Sequence, residues 1–166
     1  MMFRSLVAAA MLGLSLSLSA AAQFNPDAMD WKEGEVQAAP AFDPGKLLVF
    51  DVSTGSSLVY GVDPATLRIG NDGIVRYVVV ATSRTGVRNV LYEGIRCSSG
   101  EFKTYARHSA ESGWRPVDKP EWRSMFGNMP SRHAIQLARA GVCSNSAPAS
   151  SVGEIVQRLK TNGLSP

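Results

Sequence analysis

Glu93, Cys97, His108, His133 and Cys143 are the side chains whose types most readily move a proton, hold a metal or form a covalent bond. Strand alternation puts Glu93 on an apolar face between Leu91 and Ile95. A carboxylate buried alone is costly to keep ionised, and that condition also makes catalytic acids. Three readings compete. A bulge at Gly94 turns Glu93 outward, an arginine pairs with it, or it serves an envelope hydrolase together with His108. The local sequence supplies no second acid or base, so the structural readings come first. His108 falls at a strand end and His133 in the first turn of a helix, where surface and capping roles outweigh ligation. Two histidines and a pair of cysteines do not make a metal site. There is no G-x-S-x-G elbow, Gly55-Ser56-Ser57 reads as a turn, and Gly70-Asn71-Asp72-Gly73 is consumed by a hairpin. The expectation is therefore no enzyme, with no catalytic, cofactor-binding or metal-binding residue.

These residues sit on a run of hairpins. Leu67–Ile69 and Ile74–Ala81 flank Asn71-Asp72-Gly73, a loop whose glycine supplies the positive φ such turns require. That loop sets Ile69 against Val75 and Leu67 against Tyr77. Arg84-Thr85-Gly86 sets Val79 against Leu91, Tyr77 against Glu93 and Val75 against Ile95. A two-residue turn at Ser99-Gly100 sets Cys97 against Phe102, Ile95 against Thr104 and Leu91 against His108. All three registers gather Leu67, Ile69, Val75, Tyr77, Val79, Leu91, Ile95, Cys97 and Phe102 on one face. The other face carries Arg68, Arg76, Arg88, Tyr92, Arg96, Lys103, Tyr105 and Arg107, with Tyr105 over the bare backbone of Gly94 and Arg107 over Tyr92. That basic, aromatic face is solvated, or covered by an N-terminal strap bearing Asp27, Asp30, Glu33 and Glu35, or used for binding. The binding candidates are Tyr92, Arg96, Lys103, Tyr105 and Arg107, with Trp31 and Trp114 nearby.

Leu47–Val52 and Ser57–Val62 are short apolar runs of strand type, and 114–126 reads as a connection. Ser131–Ala140 reads as a helix ended by Gly141, and Ser151-Val152-Gly153-Glu154 opens a last helix with capping-box spacing. The fold class is α+β: an antiparallel β-meander of four to five strands with C-terminal helices packed on one face. Six basic side chains on one sheet face and a helical second half exclude a membrane barrel.

Met1-Met2-Phe3-Arg4, an apolar run from Leu6 to Leu18 and Ala20-Ala21-Ala22 have the parts of a signal peptide (1–22), cut between Ala22 and Gln23. The run is too short to cross a bilayer, for which roughly 20 residues are needed. Residues 23–46 form an extended strap and 47–166 one domain. The mature chain, with sixteen basic and fourteen acidic residues, has too little net charge to suggest nucleic acid. It contains no transmembrane segment. Two cysteines in an exported chain, without a CxxC spacing, predict a Cys97–Cys143 disulfide. The expected place is the periplasm and the expected partner a protein of the cell envelope.

Trp31-Lys32-Glu33-Gly34-Glu35-Val36, Asn71-Asp72-Gly73-Ile74-Val75-Arg76-Tyr77, Tyr92-Glu93-Gly94-Ile95-Arg96-Cys97 and Gly100-Glu101-Phe102-Lys103-Thr104-Tyr105-Ala106 resemble the cryptic neisserial protein family, exported proteins of Gram-negative bacteria. The resemblance runs from Trp31 to Cys143 and takes in Trp114 and Glu121-Trp122-Arg123. It implies no catalytic residues. It implies a periplasmic, non-catalytic binding or assembly factor, one branch being associated with type IV pilus assembly or stability. A cell-wall-binding module is a further alternative, beside the hydrolase of Glu93 and His108.

Overall fold

The structure, a computed structural model, describes residues 30–53 and 56–162. The chain divides into two compact units, Met1–Trp31 and Lys32–Pro166. The proposed signal peptide lies outside the described residues, and Asp30 and Trp31 alone represent the first unit. The sheet, the helices and the strap from Lys32 onward all belong to the second.

Eight strands make one antiparallel sheet: β1 (Leu48–Phe50), β2 (Leu58–Val62), β3 (Arg68–Ile69), β4 (Ile74–Ser83), β5 (Arg88–Arg96), β6 (Glu101–Ser109), β7 (Gly113–Pro116) and β8 (Arg123–Ser124). Their order is β1-β2-β4-β5-β6-β7, with β3 also on β4 and β8 also on β6. Helix α1 (His133–Leu137) runs into a π-helical turn at Ala138–Val142, followed by a small ribbon of β9 (Cys143–Ser144) and β10 (Ala147–Pro148) and by α2 (Val152–Asn162). No helix among the described residues is long and apolar enough to cross a membrane.

The α+β class and the antiparallel sheet agree with the sequence reading; the strand count is higher than four to five. The runs at Leu47–Val52 and Ser57–Val62 become β1 and β2, and the strands not foreseen, β7 and β8, have four and two residues, too short for alternation to be legible. A 3-10 turn at Pro64–Thr66 also splits one edge into β2 and β3, which lie end to end along β4. There the Thr66 hydroxyl accepts the Val78 N–H (2.9 Å) and Asp63 caps the turn through Ala65 N–H (2.9 Å). No backbone donor of β4 is wasted where the ladder breaks.

The larger core lies between the sheet and the helices. Tyr77, Val75, Val79 and Ile95 meet Leu137, Val142, Ile155 and Leu159, all essentially without exposure. Burying a side chain of this kind is worth about 1.5–3 kcal/mol, more than a typical ladder hydrogen bond. Packing therefore sets which face is inside. The expected helix over 131–140 is α-helical for one turn and then widens. Gly141 takes φ 155°, and a Cβ there would lie 2.6 Å from the Arg158 Cβ of α2, so the glycine permits close packing of the two helices. Cys97 and Cys143 are bonded, with Cα atoms 5.7 Å apart, tying this turn to the end of β5.

The opposite face has a smaller core. Val78, Val80, Val90, Tyr92, Tyr105 and Ala106 are covered by Ala39 and Phe42 of the strap together with Leu47 and Trp114. Polar contacts fix the strap in place. Glu33 accepts from Lys103 Nζ (2.5 Å), Tyr105 Oη (2.6 Å) and Trp122 Nε1 (3.3 Å), and Gly34 N–H donates to Asp72 (2.9 Å).

The first two hairpin registers are as read: Ile69 faces Val75, Val79 faces Leu91 and Tyr77 faces Glu93. The third is not. The turn spans four residues, with Gly100 N–H donating to Arg96 O, so Ile95 faces Phe102 and Glu93 faces Thr104. A bulge then leaves Tyr105 without a partner across the ladder, after which Tyr92 faces Ala106 and Leu91 faces Arg107. An extra residue in one strand exchanges the faces of every residue beyond it. Arg107 consequently stands on the helix side of the sheet, not over Tyr92.

Candidate functional site

Glu93 points inward and is fully buried. Of the options open to it, the structure realises neither an outward bulge nor an arginine. The bulge lies opposite, on β6, and the partner is a histidine. His133 Nε2 stands 2.7 Å from Oε2, Tyr77 Oη donates to the same oxygen at 3.3 Å, and Thr104 Oγ1 donates to Oε1 at 2.9 Å. Three donors on one carboxylate meet the requirement that a buried charge be both paired and hydrogen-bonded. Burial, then the carboxylate beside it, push the Tyr77 phenol well above its ordinary pKa, so it remains a donor.

His133 sits at the start of α1, stacked on Tyr60 (centroids 5.6 Å apart, planes 3° apart) and edge-on to Phe102 (5.7 Å). Its Nδ1 shares a hydrogen bond with Ser131 Oγ (3.0 Å), which shares another with Tyr60 Oη (3.0 Å) and accepts the His133 backbone N–H (3.2 Å). A continuous polar chain therefore runs Tyr60, Ser131, His133, Glu93, Thr104 through an apolar layer.

The chain forms the floor of a cavity of about 230 Å³. Val79, Leu91 and Met129 line its apolar side, and Arg107 and Arg123 belong to its wall. Arg123 arrives through β8, opposite Phe102, and Arg107 through the bulge. Both are exposed, and no carboxylate lies within ion-pair distance of either among the described residues. Among the sheet arginines, Arg76 has Asp72 and Glu33 and Arg96 has Glu101, whereas Arg68 donates to the Ala65 and Leu67 carbonyls.

The residues proposed from sequence for a binding face are dispersed. Tyr92 is buried under the strap, Lys103 and Tyr105 are engaged by Glu33, and Trp114 donates to Pro40 O (3.0 Å) between Phe42 and Tyr92. Burial lifts the Tyr105 phenol far above its usual pKa, and the Glu33 hydrogen bond adds to this. Arg96 faces Glu101 rather than Lys103, and Trp31 ends the first unit. Of the face readings, coverage by the strap is the one seen, through Glu33; Asp27 lies outside the described residues. His108 packs against Phe42 and Trp114, on the opposite side of the sheet from Glu93, so these two do not meet.

The sequence reading missed His133, Ser131, Tyr60, Thr104 and Arg123 as neighbours of Glu93. One signal was available: His133 and Leu137 are four residues apart in a helix whose apolar side packs on the sheet, which sets the imidazole on the buried side.

No curated protein and no solved structure matches the chain. A family model does, over residues 26–160, which include most of the strap, the sheet, the cavity and most of the last helix. The chain belongs to the CNP1-like family.

Proposed function

We propose that this protein is an exported, non-catalytic binding or assembly factor of the cell envelope, and that it binds through the cavity over Glu93 and His133 rather than through the strap-covered face. The observation that carries this reading is a pair of arginines, without an acid within ion-pair distance among the described residues, on the wall of a cavity whose buried floor is already satisfied. A floor that needs no further partner is a rigid platform, and polar groups held in this way favour specific recognition. The periplasmic setting rests on the leader-like N-terminus. A role beside type IV pili, and the identity with the cryptic neisserial proteins, rest on the sequence resemblance.

Asn89 is exposed on the wall of the cavity, so Asn89→Trp should obstruct it without unfolding the domain. A strain lacking the protein, scored for surface pili and envelope integrity, should be restored by the parent and not by Asn89→Trp. Full restoration by a correctly folded Asn89→Trp protein would refute the cavity as the functional site.

A second reading has one observation in its favour. Ser131, His133 and Glu93 are connected as hydroxyl, imidazole and carboxylate, the order found in acyl-transfer enzymes. Against it, Ser131 Oγ is also held by a backbone N–H and by Tyr60, which fixes it as part of the helix start. Labelling of the parent, and not of Ser131→Ala, by a fluorophosphonate would establish catalysis and displace the binding proposal.

A further inference from the structure

We infer that the cavity takes a carboxylate attached to a small apolar body, about one amino-acid residue in size. The inference rests on the cavity as binding site and specifies its ligand.

The cavity is small. At about 230 Å³ it falls below the roughly 300–1,000 Å³ of sites for drug-sized molecules. It has room for a single branched side chain with its terminal group, not for a sugar chain or a folded loop.

Its lining holds both apolar and cationic side chains. Val79, Leu91 and Met129 provide an apolar wall, and Arg107 and Arg123 provide cationic heads. A guanidinium offers a planar fork of N–H donors that matches a carboxylate in two-point contact. Among the described residues, Glu93 and His133 are the other ionisable groups in the lining apart from the Tyr60 phenol. Glu93 brings one negative charge, already enclosed by Tyr77, Thr104 and His133, and His133 brings either none or one positive charge. Two arginines leave the cavity cationic in every proton state of that pair. A neutral body with an anionic end matches both halves of the site.

Arg107 reaches the cavity because a bulge reverses the alternation of β6 between Thr104 and Arg107. Bulges re-aim side chains beside binding sites, at the expense of ladder hydrogen bonds. Here the result is an exposed cation on the helix side of the sheet, with no acid of the described residues within ion-pair distance. An external acid supplies the missing partner.

The test uses the mature chain with its disulfide intact. N-acetyl-leucine is titrated and followed by amide chemical shifts, with N-acetyl-leucinamide as the neutral control. The acid should perturb Thr104, Arg107, Arg123 and His133, and the amide should bind at least tenfold more weakly. Arg107→Gln and Arg123→Gln, both at exposed positions, should each weaken the acid at least tenfold. Peptides ending in leucine, with free and amidated termini, separate the two sources: tighter binding of the free-ended peptide identifies a polypeptide C-terminus, and equal binding identifies a small organic acid. If acid and amide perturb the cavity equally, or both arginine variants bind as the parent does, the carboxylate assignment is overturned while the cavity remains a binding site. If no probe perturbs cavity residues, both are overturned.

Discussion

A carboxylate with no exposure has to be neutralised by what surrounds it, and at Glu93 the work is divided among Tyr77, Thr104 and His133. Removing a partner from a buried polar group costs the desolvation of what is left behind, about 1–3 kcal/mol, and more when that group is charged. His133→Ala should therefore lower the unfolding free energy in urea by that amount. Glu93→Gln, which keeps a hydrogen-bonding side chain of the same shape, should lower it less. A His133→Ala protein within about 1 kcal/mol of the parent would mean that the pair contributes little. Gly94 is similarly constrained: a Cβ there would lie 2.7 Å from Tyr105 Oη and 2.9 Å from Ile74 Cγ2. Gly94→Ala should cost about 1–3 kcal/mol through overpacking and loosen Tyr105 from Glu33. At this scale the rest of Tyr105 on Gly94 was legible from a missing side chain, whereas strand alternation put Glu93 on the apolar face but left open a bulge that would turn it outward. The histidine was not legible, because it comes from forty residues away and only the packing of α1 brings it close.

Among the elements, the strap is the one whose attachment depends on acid. Burial works against the ionised form of Glu33, but hydrogen bonds from Lys103, Tyr105 and Trp122 outweigh it and hold its carboxyl below the ordinary value of 4.5. Asp72, which holds Gly34, is displaced in the same direction: burial opposes, and Arg76 with two backbone N–H groups prevails. A carboxyl with a lowered folded pKa stabilises fully above its unfolded value and loses that contribution as pH falls through the folded one. The strap should therefore stay attached above about pH 4.5 and release below it. Proteolysis at Lys32 and Lys46 across that range would measure this. Glu33→Gln should weaken attachment by about 1–2 kcal/mol at neutral pH and leave only the share of the acid response due to Asp72. Cleavage independent of pH in the parent would contradict this account. Strap contact with the basic face was among the sequence options, since acids and cations stood in separate segments. The β5–β6 register was not legible: Ser99-Gly100 looks like a two-residue turn, and nothing in the composition of β6 announces an unpaired tyrosine.

For the molecule as a whole, the Cys97–Cys143 bond closes a long stretch of chain and joins the sheet to the helical layer. With a separation of 46 residues, the chain-entropy treatment assigns it about 4 kcal/mol. Typical domains have only about 5–15 kcal/mol in total, so a Cys97→Ala/Cys143→Ala protein should melt far below the parent or fail to accumulate. Near-equal melting of parent and variant would show that the two layers hold together by packing alone. Cysteine parity and spacing made this bond legible, whereas the number of strands was not, because a two-residue strand such as β8 exists only through the neighbour it pairs with.

The unpaired Tyr105 has a consequence beyond its own strand. A ribbon carrying one supernumerary link shows opposite sides to an observer on either side of that link. Lys103 and His108, five places apart and so of opposite parity, end up facing the same way, while Thr104 and Arg107 share the other side. Were Tyr105 instead drawn into the ladder opposite Tyr92, composition and hydropathy would be unchanged, yet Arg107 would pass beneath the N-terminal segment and His108 among the helices. Two surfaces of the protein thus depend on one irregularity of the ladder.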